Sequence, residues 1–236
     1  MKVLLVRPDL NKKATTVKNF MFGEPLGIEC VSAILKETGN EVLLVDLLAE
    51  SKRNFKKYIR KFKPDLVGFT SQCTDIDNIL LLAADVKKLN KNIKVMVGGI
   101  QATISPEAYF NKNIDYVFKS TTRDNIAQLI KQMEEGTNEE ISGVYSRKRQ
   151  YQSTLESCQN EYIKPDRECS RKYRKKYKYV GYSPCAILQT SYGCRNHCKF
   201  CVRWRIEGRK VVELPIQDVV DELESLEEPY VMIIDN

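Results

Sequence analysis

Histidine is almost absent from this 236-residue chain, which contains only His197. Glycine and proline are also sparse, at 11 and 8 residues, which excludes collagen-like and low-complexity classes. No apolar run reaches the ~20 residues of a membrane-spanning helix, and the apolar stretch after Met1 is too short for a signal peptide. The 42% of hydrophobic residues is enough for a folded core. We therefore expect a folded cytoplasmic protein without a membrane span.

The positive charge is concentrated in one segment. The formal net charge is +7, but the stretch from Lys164 to Lys178 holds eight Lys and Arg residues against two acids. The remainder is close to neutral, which argues against a nucleic-acid partner. Residues 148–183 are polar and lack sustained apolar periodicity. They are predicted to form a linker that faces solvent, in preference to a surface for acidic cofactor groups, phosphate or a partner.

Residues 1–135 alternate short apolar runs with amphipathic stretches. The runs lack strict polar alternation, as do strands that are covered on both faces, and they are Lys2–Arg7, Glu41–Leu47, Asp65–Thr70, Ile93–Val97 and Asp115–Lys119. Helices are predicted between them, at residues 25–38, 52–63, 75–90, 105–112 and 123–135. This order predicts an α/β fold with a doubly wound parallel sheet, Rossmann-like or flavodoxin-like. With an edge strand at 141–147, the first domain covers residues 1–147.

Open parallel sheets bind ligands at the carboxyl ends of their strands, where the strand order reverses. At this edge the sequence places small and polar residues after two of the predicted strands, namely Ser71, Gly98, Gly99, Gln101 and Thr103. A Gly-Gly pair directly after a strand lets a ligand approach the backbone closely. It is equally consistent with a simple tight turn.

A second α/β pattern begins at Pro184. Strands are predicted at Cys185–Thr190 and Tyr230–Asp235, with a helix at 215–227 between them. Two strands and one helix are too few for a closed barrel or a self-sufficient sheet. Residues 184–236 are therefore expected to be the start of a larger unit.

The loop after Cys185–Thr190 contains Cys194, Cys198 and Cys201. Three thiolates at C-x3-C-x2-C spacing can converge on one soft metal centre. Without a fourth cysteine nearby, a 4Fe–4S cluster would keep one iron open for an exogenous ligand. A zinc site with His197 is an alternative, but adjacent residues such as His197 and Cys198 rarely both reach one tetrahedral ion. Incidental thiols are the third interpretation.

The motif Cys194-x3-Cys198-x-Phe200-Cys201 resembles the C-x3-C-x-aromatic-C signature of radical S-adenosylmethionine (SAM) enzymes. Residues 184–193 resemble the first barrel strand of members that carry an N-terminal cobalamin-binding domain. Residues 208–210 and 218–223 resemble their first helix. Residues 1–135 resemble the cobalamin-binding module through three segments, Pro25-Leu26-Gly27, Pro64-Asp65-Leu66-Val67-Gly68 and Gly98-Gly99-Ile100-Gln101-Ala102-Thr103.

The resemblance implies an enzyme that cleaves SAM reductively for radical methyl transfer, cyclisation or rearrangement of a small-molecule substrate. The three cysteines would hold a 4Fe–4S cluster, SAM would chelate its open iron, and Phe200 would lie near the adenine. Asp235 and Asn236 are weaker candidates for facing SAM. Cobalamin would be lined by Ser71, Gly98, Gly99, Gln101 and Thr103. Flavodoxin or ferredoxin would donate electrons, docking on the basic residues Lys172, Arg174, Lys175 and Lys176.

Two departures from the family pattern modify this prediction. The chain has no Asp-x-His-x-x-Gly loop, and Gln101 stands where many relatives have histidine, so any cobalamin is expected to lack a protein imidazole on cobalt. Only 35 residues follow Cys201, whereas a partial barrel of six units needs roughly 150–200. We expect a truncated or split enzyme, inactive alone, with a separate chain supplying the rest of the barrel. The alternatives are a non-catalytic cobalamin- or ligand-binding module with a vestigial cluster loop, and a zinc-stabilised interaction protein.

Overall fold

A computed structural model describes residues 1–9, 21–151 and 162–235. Its main feature is a six-stranded sheet formed by β1 (Lys2–Arg7), β3 (Glu41–Asp46), β4 (Leu66–Thr70), β5 (Lys94–Gly98), β6 (Tyr116–Phe118) and β7 (Val144–Ser146). A short strand, β2 (Met21–Phe22), lies outside this sheet. The helices of this half are α1 (Leu26–Glu37), α2 (Phe55–Phe62), α3 (Ile76–Leu89), α4 (Ile100–Ile104) and α5 (Arg123–Glu135).

The sheet has the spatial order β3-β1-β4-β5-β6-β7. The first five strands are parallel, and β7 pairs antiparallel with β6 at the edge. The parallel strands therefore have the flavodoxin-like order, in which the chain reverses its direction of winding between β1 and β4. The predicted doubly wound sheet is confirmed.

Both faces of the sheet are covered, which explains the continuous apolar runs in its strands. In β1, Val3 and Leu5 belong to a core that includes apolar residues of α1 and α5. The alternate residues Leu4 and Val6 belong to a second core that includes residues of α2 and α3. Successive side chains of a strand point to opposite faces, so each face of β1 has its own layer of helices.

The prediction of one amphipathic helix at residues 105–112 is wrong. The chain instead forms α4, which ends at Ile104, followed by a 3-10 turn at Pro106–Tyr109. Proline lacks the backbone N–H that would continue a helix, and it disfavours helical geometry in the residue before it. Ser105 accordingly has φ −140° and ψ 70° and separates the two elements.

The C-terminal part contains the βαβ unit that the sequence predicts. Strands β9 (Cys185–Leu188) and β12 (Tyr230–Ile233) pair in parallel and are connected through the helix Ile216–Glu224, here α7. Three smaller elements accompany them, namely β10 (Ser191–Tyr192), α6 (Arg203–Ile206) and β11 (Val212–Glu213). Strands β10 and β11 form an antiparallel hairpin. In the described ranges no helix combines the length and apolar character that crossing a membrane requires.

The described part of the basic segment packs on the first domain through its tyrosines, which corrects the expectation of an unattached connector, while most of its charged side chains are exposed as expected. A 3-10 helix at Arg167–Lys176 lies on the first domain and buries Tyr173, and Tyr177 just beyond its end is buried as well. The Asp46 backbone N–H donates to the Tyr173 hydroxyl at 3.2 Å, and the Tyr177 hydroxyl donates to the Asp46 carboxylate at 3.1 Å. The strand β8 (Lys178–Tyr179) then pairs with β2. The domain boundaries at 147 and 183 stay predictions.

Candidate functional site

A cavity of about 270 Å³ lies at the carboxyl edge of the sheet, beside the reversal point between β1 and β4. Its wall is mainly apolar and includes Gly27 of α1, Gly68 of β4, and the Gly98-Gly99 pair at the end of β5. At Gly68 a Cβ atom would lie 2.6 Å from Met96 Cε and 3.0 Å from Leu5 Cδ2. This glycine belongs to one of the segments that resemble the cobalamin-binding module, and a side chain larger than hydrogen fits there only if Met96 and Leu5 move.

The glycine pair is more than a simple turn. Gly99 has φ +95°, and a Cβ atom there would lie 2.7 Å from the Ser71 backbone nitrogen. Only glycine tolerates both this conformation and this approach. The loop after β5 consequently packs directly against the loop after β4, and both Gly98 and Gly99 line the cavity.

Ser71 connects these two loops. Its hydroxyl donates to the Gly98 carbonyl at 2.7 Å and accepts from the Ala102 N–H at 3.1 Å, and its carbonyl accepts from the Gln101 N–H at 3.2 Å. The residue is 1% exposed. Ser71 thus has its hydroxyl occupied within the protein and positions the loops.

The remaining candidates of this edge, Gln101 and Thr103, lie in α4. The Thr103 hydroxyl donates to the Gly99 carbonyl at 3.2 Å. Neither residue lines the cavity, whereas Gly98 and Gly99 do. The structure therefore brings all five predicted residues to the same edge of the sheet, where Gly98 and Gly99 form part of the cavity wall and the other three do not line it.

The cysteine loop begins with a forced bend at Gly193. This residue has φ +84°, and a Cβ atom there would collide with the Lys210 carbonyl oxygen. Cys194 N–H then donates to the Gly208 carbonyl at 3.1 Å, and Cys201 N–H donates to the Cys198 carbonyl at 3.1 Å. Backbone hydrogen bonds therefore fix the conformation of the loop, and the three thiols are not needed for it.

The three thiols of the loop are free, with Cys198 exposed and the other two half-buried. Among the described residues, no three His, Cys, Asp or Glu side chains are gathered at metal-binding distances. His197 lies beside Trp204, with 5.7 Å between ring centroids, and Phe200 is 90% exposed. Three thiolates on one loop nevertheless form a donor set suited to iron–sulfur chemistry.

Asp235 connects the end of β12 to the start of the cysteine loop. Its Oδ1 accepts from the N–H groups of Thr190 and Ser191 at 2.9 and 3.1 Å. Burial opposes ionisation, but these hydrogen bonds outweigh it and lower the pKa of Asp235. The other candidate at this end, Asn236, lies outside the described residues.

A buried ionic network, which the sequence analysis missed, joins the two halves of the protein. The Arg167 guanidinium contacts Glu24 before α1 and Glu222 in α7, and it donates to the Ile187 carbonyl of β9 at 2.7 Å. Glu29 lies nearby in α1 with no exposed surface. Burial, and after it the charge of Glu24, raise the pKa of Glu29 to about 8. A glutamate within the otherwise apolar stretch Gly27–Val31 was the available signal.

The fold and the site together define a class of protein: a flavodoxin-like domain with a cavity at its switch point, joined to a βαβ unit that carries a three-cysteine loop. A profile of the B12 binding domain matches residues 13–130, half of the chain. The chain therefore belongs to the B12-binding domain family.

Relatives extend this assignment beyond the first domain. The chain is 27% identical over 241 residues to the hopanoid C-3 methylase of Methylococcus capsulatus, a match that covers 100% of this chain and 46% of that enzyme. The radical SAM methyltransferase TsrM from Kitasatospora setae matches in structure with a TM-score of 0.68 and 20% identity, over 95% of this chain and 45% of TsrM.

The cobalamin-dependent SAM radical enzyme OxsB with aqua-cobalamin bound matches with a TM-score of 0.72 and 20% identity, over 94% of this chain and 31% of OxsB. The likeness to the two solved structures establishes the fold. The resemblance to radical SAM enzymes with an N-terminal cobalamin-binding domain is confirmed. The chain spans about half the length of the curated relatives it matches.

Proposed function

We propose that the chain binds cobalamin at the β1/β4 edge and a 4Fe–4S cluster with SAM at the cysteine loop, as part of a radical methyltransferase. The observation that carries this proposal is that the cavity is lined mainly by residues of the region that matches the B12-binding domain, in the same chain as C-x3-C-x2-C. Methyl transfer is favoured over cyclisation or rearrangement because the curated relatives are a methylase and methyltransferases.

The cavity fits one part of cobalamin. Cobalamin combines a large corrin macrocycle with a flat benzimidazole nucleotide tail. A mainly apolar cavity of about 270 Å³ is far too small for the macrocycle and suits a flat ring. Gly98 and Gly99 would line the tail, and Ser71 would hold their loop in place. Gln101 and Thr103 at the same edge are the candidates for polar contacts with the macrocycle.

Composition limits which residues of this chain could ligate the cobalt of cobalamin. The only histidine, His197, lies in the cysteine loop beside Trp204. No imidazole of the first domain can therefore ligate cobalt, because that domain contains none. An amide such as that of Gln101 hydrogen-bonds well and does not titrate.

Cys194, Cys198 and Cys201 are the proposed cluster ligands. A 4Fe–4S cluster supplies one electron for cleavage of the SAM sulfonium, and cobalamin supplies a carrier for a methyl group. In this chain, the backbone bonds of Cys194 and Cys201 shape the loop, and Cys198 projects into solvent between them. Phe200 is exposed and free to cover an adenine ring.

An acidic electron carrier, flavodoxin or ferredoxin, is the proposed redox partner, and a small molecule is the proposed substrate. Of the basic residues predicted to attract the carrier, Arg174 is engaged with Glu228. Lys172 lies 3.7 Å from Glu50, and Lys176 donates to the Ala49 carbonyl at 2.9 Å. Both residues are nevertheless exposed, as is Lys175, and the three lysines are the groups with which an acidic surface would pair.

Anaerobic reconstitution of the 236-residue chain with iron, sulfide and hydroxocobalamin tests the proposal. We expect about four iron and four sulfide per chain, together with a cobalamin spectrum that differs from that of the free cofactor. Replacing all three loop cysteines with alanine should abolish iron binding, whereas Cys73→Ala should not. Iron that persists without these cysteines, or stoichiometric zinc instead of iron, would contradict the cluster assignment.

A second candidate function is a cobalamin-binding module without cluster chemistry. It is favoured by the separation of the three thiols among the described residues. The same experiment distinguishes it, because this module would take up cobalamin and no iron.

A further inference from the structure

The cavity at the sheet edge is not built by the first domain alone. Two of its lining residues, Ile163 and Tyr192, belong to the part of the chain that follows this domain. Ile163 is buried and Tyr192 is half-buried. Tyr192 lies only two residues before Cys194, the first cysteine of the loop. One side chain is therefore part of the ligand cavity and adjoins the metal-binding loop.

The contribution of the second half to the cavity wall is fixed by hydrogen bonds. The Cys30 thiol of α1 lies 3.4 Å from the Ile163 carbonyl, to which it donates. The neighbouring Tyr162 hydroxyl donates to Glu222 of α7 at 3.1 Å. The wall thus connects α1 with α7, the helix of the βαβ unit.

Tyr192 also belongs to a constrained hairpin. It pairs with Val212, and Ser191 pairs with Glu213. The next residue, Gly193, is in a conformation that side chains rarely adopt and lies against the Lys210 carbonyl. Cys194 follows immediately, with its N–H bonded to Gly208. A displacement of the Tyr192 backbone is expected to move Cys194, because Gly193 between them is packed against the Lys210 carbonyl and the residues on both sides of it are hydrogen-bonded.

We propose that Tyr192 is a positioning residue that couples the two cofactor sites: a benzimidazole-type ring in the cavity packs on Tyr192 and thereby fixes the position of Cys194. This inference rests on the proposed function, since it requires cobalamin in the cavity. Coupling between two binding sites is reciprocal. Filling the cavity therefore stabilises the arrangement of the cysteine loop, and metal binding by the loop strengthens cobalamin binding.

Titration of the apo 236-residue chain with hydroxocobalamin, followed by visible absorption, tests the direct contact. Tyr192→Ala should weaken binding about five- to tenfold, as the loss of one aromatic ring contact does, whereas Tyr192→Phe keeps the ring and should bind as the wild type does. Tyr182→Ala is the matched control, because Tyr182 is exposed, packs on Tyr230 and does not line the cavity. Wild type that fails to bind cobalamin overturns the proposed function. Wild type and Tyr192→Ala that bind equally overturn only the role of Tyr192.

The effect of cobalamin on the cysteine loop has its own readout, and its main comparison needs only the wild type and Tyr192→Phe. Alkylation of the apo chain with iodoacetamide, mapped by mass spectrometry, should slow at Cys194 when cobalamin is added, and slow less at the exposed Cys198. In Tyr192→Phe the protection should persist. Equal rates at Cys194 with and without bound cobalamin would refute the coupling, as would protection that is undiminished in a folded Tyr192→Ala variant, since this would indicate direct coverage.

Discussion

Arg167 and Glu24 form a buried ion pair, with 2.5 Å between the guanidinium Nη1 and the carboxylate Oε1. The same Glu24 oxygen accepts from the Ile187 N–H of β9, and Arg167 also contacts Glu222 of α7. These contacts attach the βαβ unit to the first domain through side chains that water does not reach. Since a buried charge without its partner is costly, the network specifies how the two halves are placed.

Replacing Arg167 with methionine should destabilise the protein strongly. The substitution leaves Glu24 and Glu222 buried without a counter-charge, a situation that costs about 3–5 kcal/mol. Urea unfolding of the apo chain, followed by circular dichroism, measures the change. Arg171→Met is the control, since the Arg171–Glu168 pair is exposed, and it should leave the free energy of unfolding unchanged. If both variants unfold at the same urea concentration, the network contributes nothing.

Glu29 should make the protein less stable as the pH rises. Its native pKa lies at about 8, raised from 4.5 first by burial and then by Glu24. Between these values the native state holds a proton that the unfolded chain has lost. The free energy of unfolding therefore decreases with increasing pH, by about 1.4 kcal/mol per unit. Ser170, Arg167 and Arg174 act in the opposite direction and favour ionisation, but burial and the charge of Glu24 outweigh them.

Glu29→Gln tests this dependence, because the amide is uncharged at every pH. Urea midpoints measured at pH 6, 7 and 8 should fall less steeply in this variant than in the wild type. Glu168→Gln, at an exposed position, should retain the wild-type slope. A wild-type slope in Glu29→Gln would mean that other groups set the pH dependence.

The parallel sheet could be predicted from the sequence because strands that are covered on both faces have uninterrupted apolar runs. In β1, for example, the neighbouring residues Leu4 and Leu5 are buried on opposite faces of the sheet. The ion pairs of Arg167 could not be predicted in this way, because its partners Glu24 and Glu222 lie 143 and 55 residues away in the sequence. Ser71 was placed at the correct edge. The hydrogen bond from the Ser71 hydroxyl to the Gly98 carbonyl could not be predicted, because it depends on which strands become neighbours in the sheet.

The buried part of the basic segment shows a different limitation. Tyr173 and Tyr177 lie four residues apart among lysines and arginines. The average charge and polarity of the segment do not reveal that these two side chains could be buried. Their burial depends on Asp46, which offers an N–H and a carboxylate to the two hydroxyls. The charge count alone favoured a solvated surface because it ignored what the aromatic rings contact.

Gly99→Ala should displace the loop that lines the cavity. The added Cβ would lie 2.7 Å from the Ser71 nitrogen and 2.9 Å from Thr70 Oγ1, at a φ of +95°. We expect a loss of about 1–3 kcal/mol in stability from the strained backbone and at least tenfold weaker cobalamin binding. Gly181→Ala is the control, since a Cβ there meets nothing within 4 Å. Unchanged cobalamin affinity in Gly99→Ala would show that the loop does not shape the cofactor site.

Ser71→Ala and Thr103→Ala distinguish support of the loops from contact with the cofactor. Removing the Ser71 hydroxyl leaves the Gly98 carbonyl and the Ala102 N–H without their shared partner, at a cost of about 1–3 kcal/mol. The two loops then separate, and cobalamin affinity should fall together with the free energy of unfolding. Thr103 makes only a local bond to Gly99, so Thr103→Ala should change stability little.

If Thr103 contacts the cofactor, however, the same variant lowers cobalamin affinity at nearly constant stability. Absorbance titrations and urea unfolding of both variants therefore separate the two roles, because a supporting residue moves both quantities and a contact residue moves one. A Ser71→Ala variant with native stability and weakened cobalamin binding would reverse the assignment, since the hydroxyl would then act on the cofactor instead of on Gly98 and Ala102.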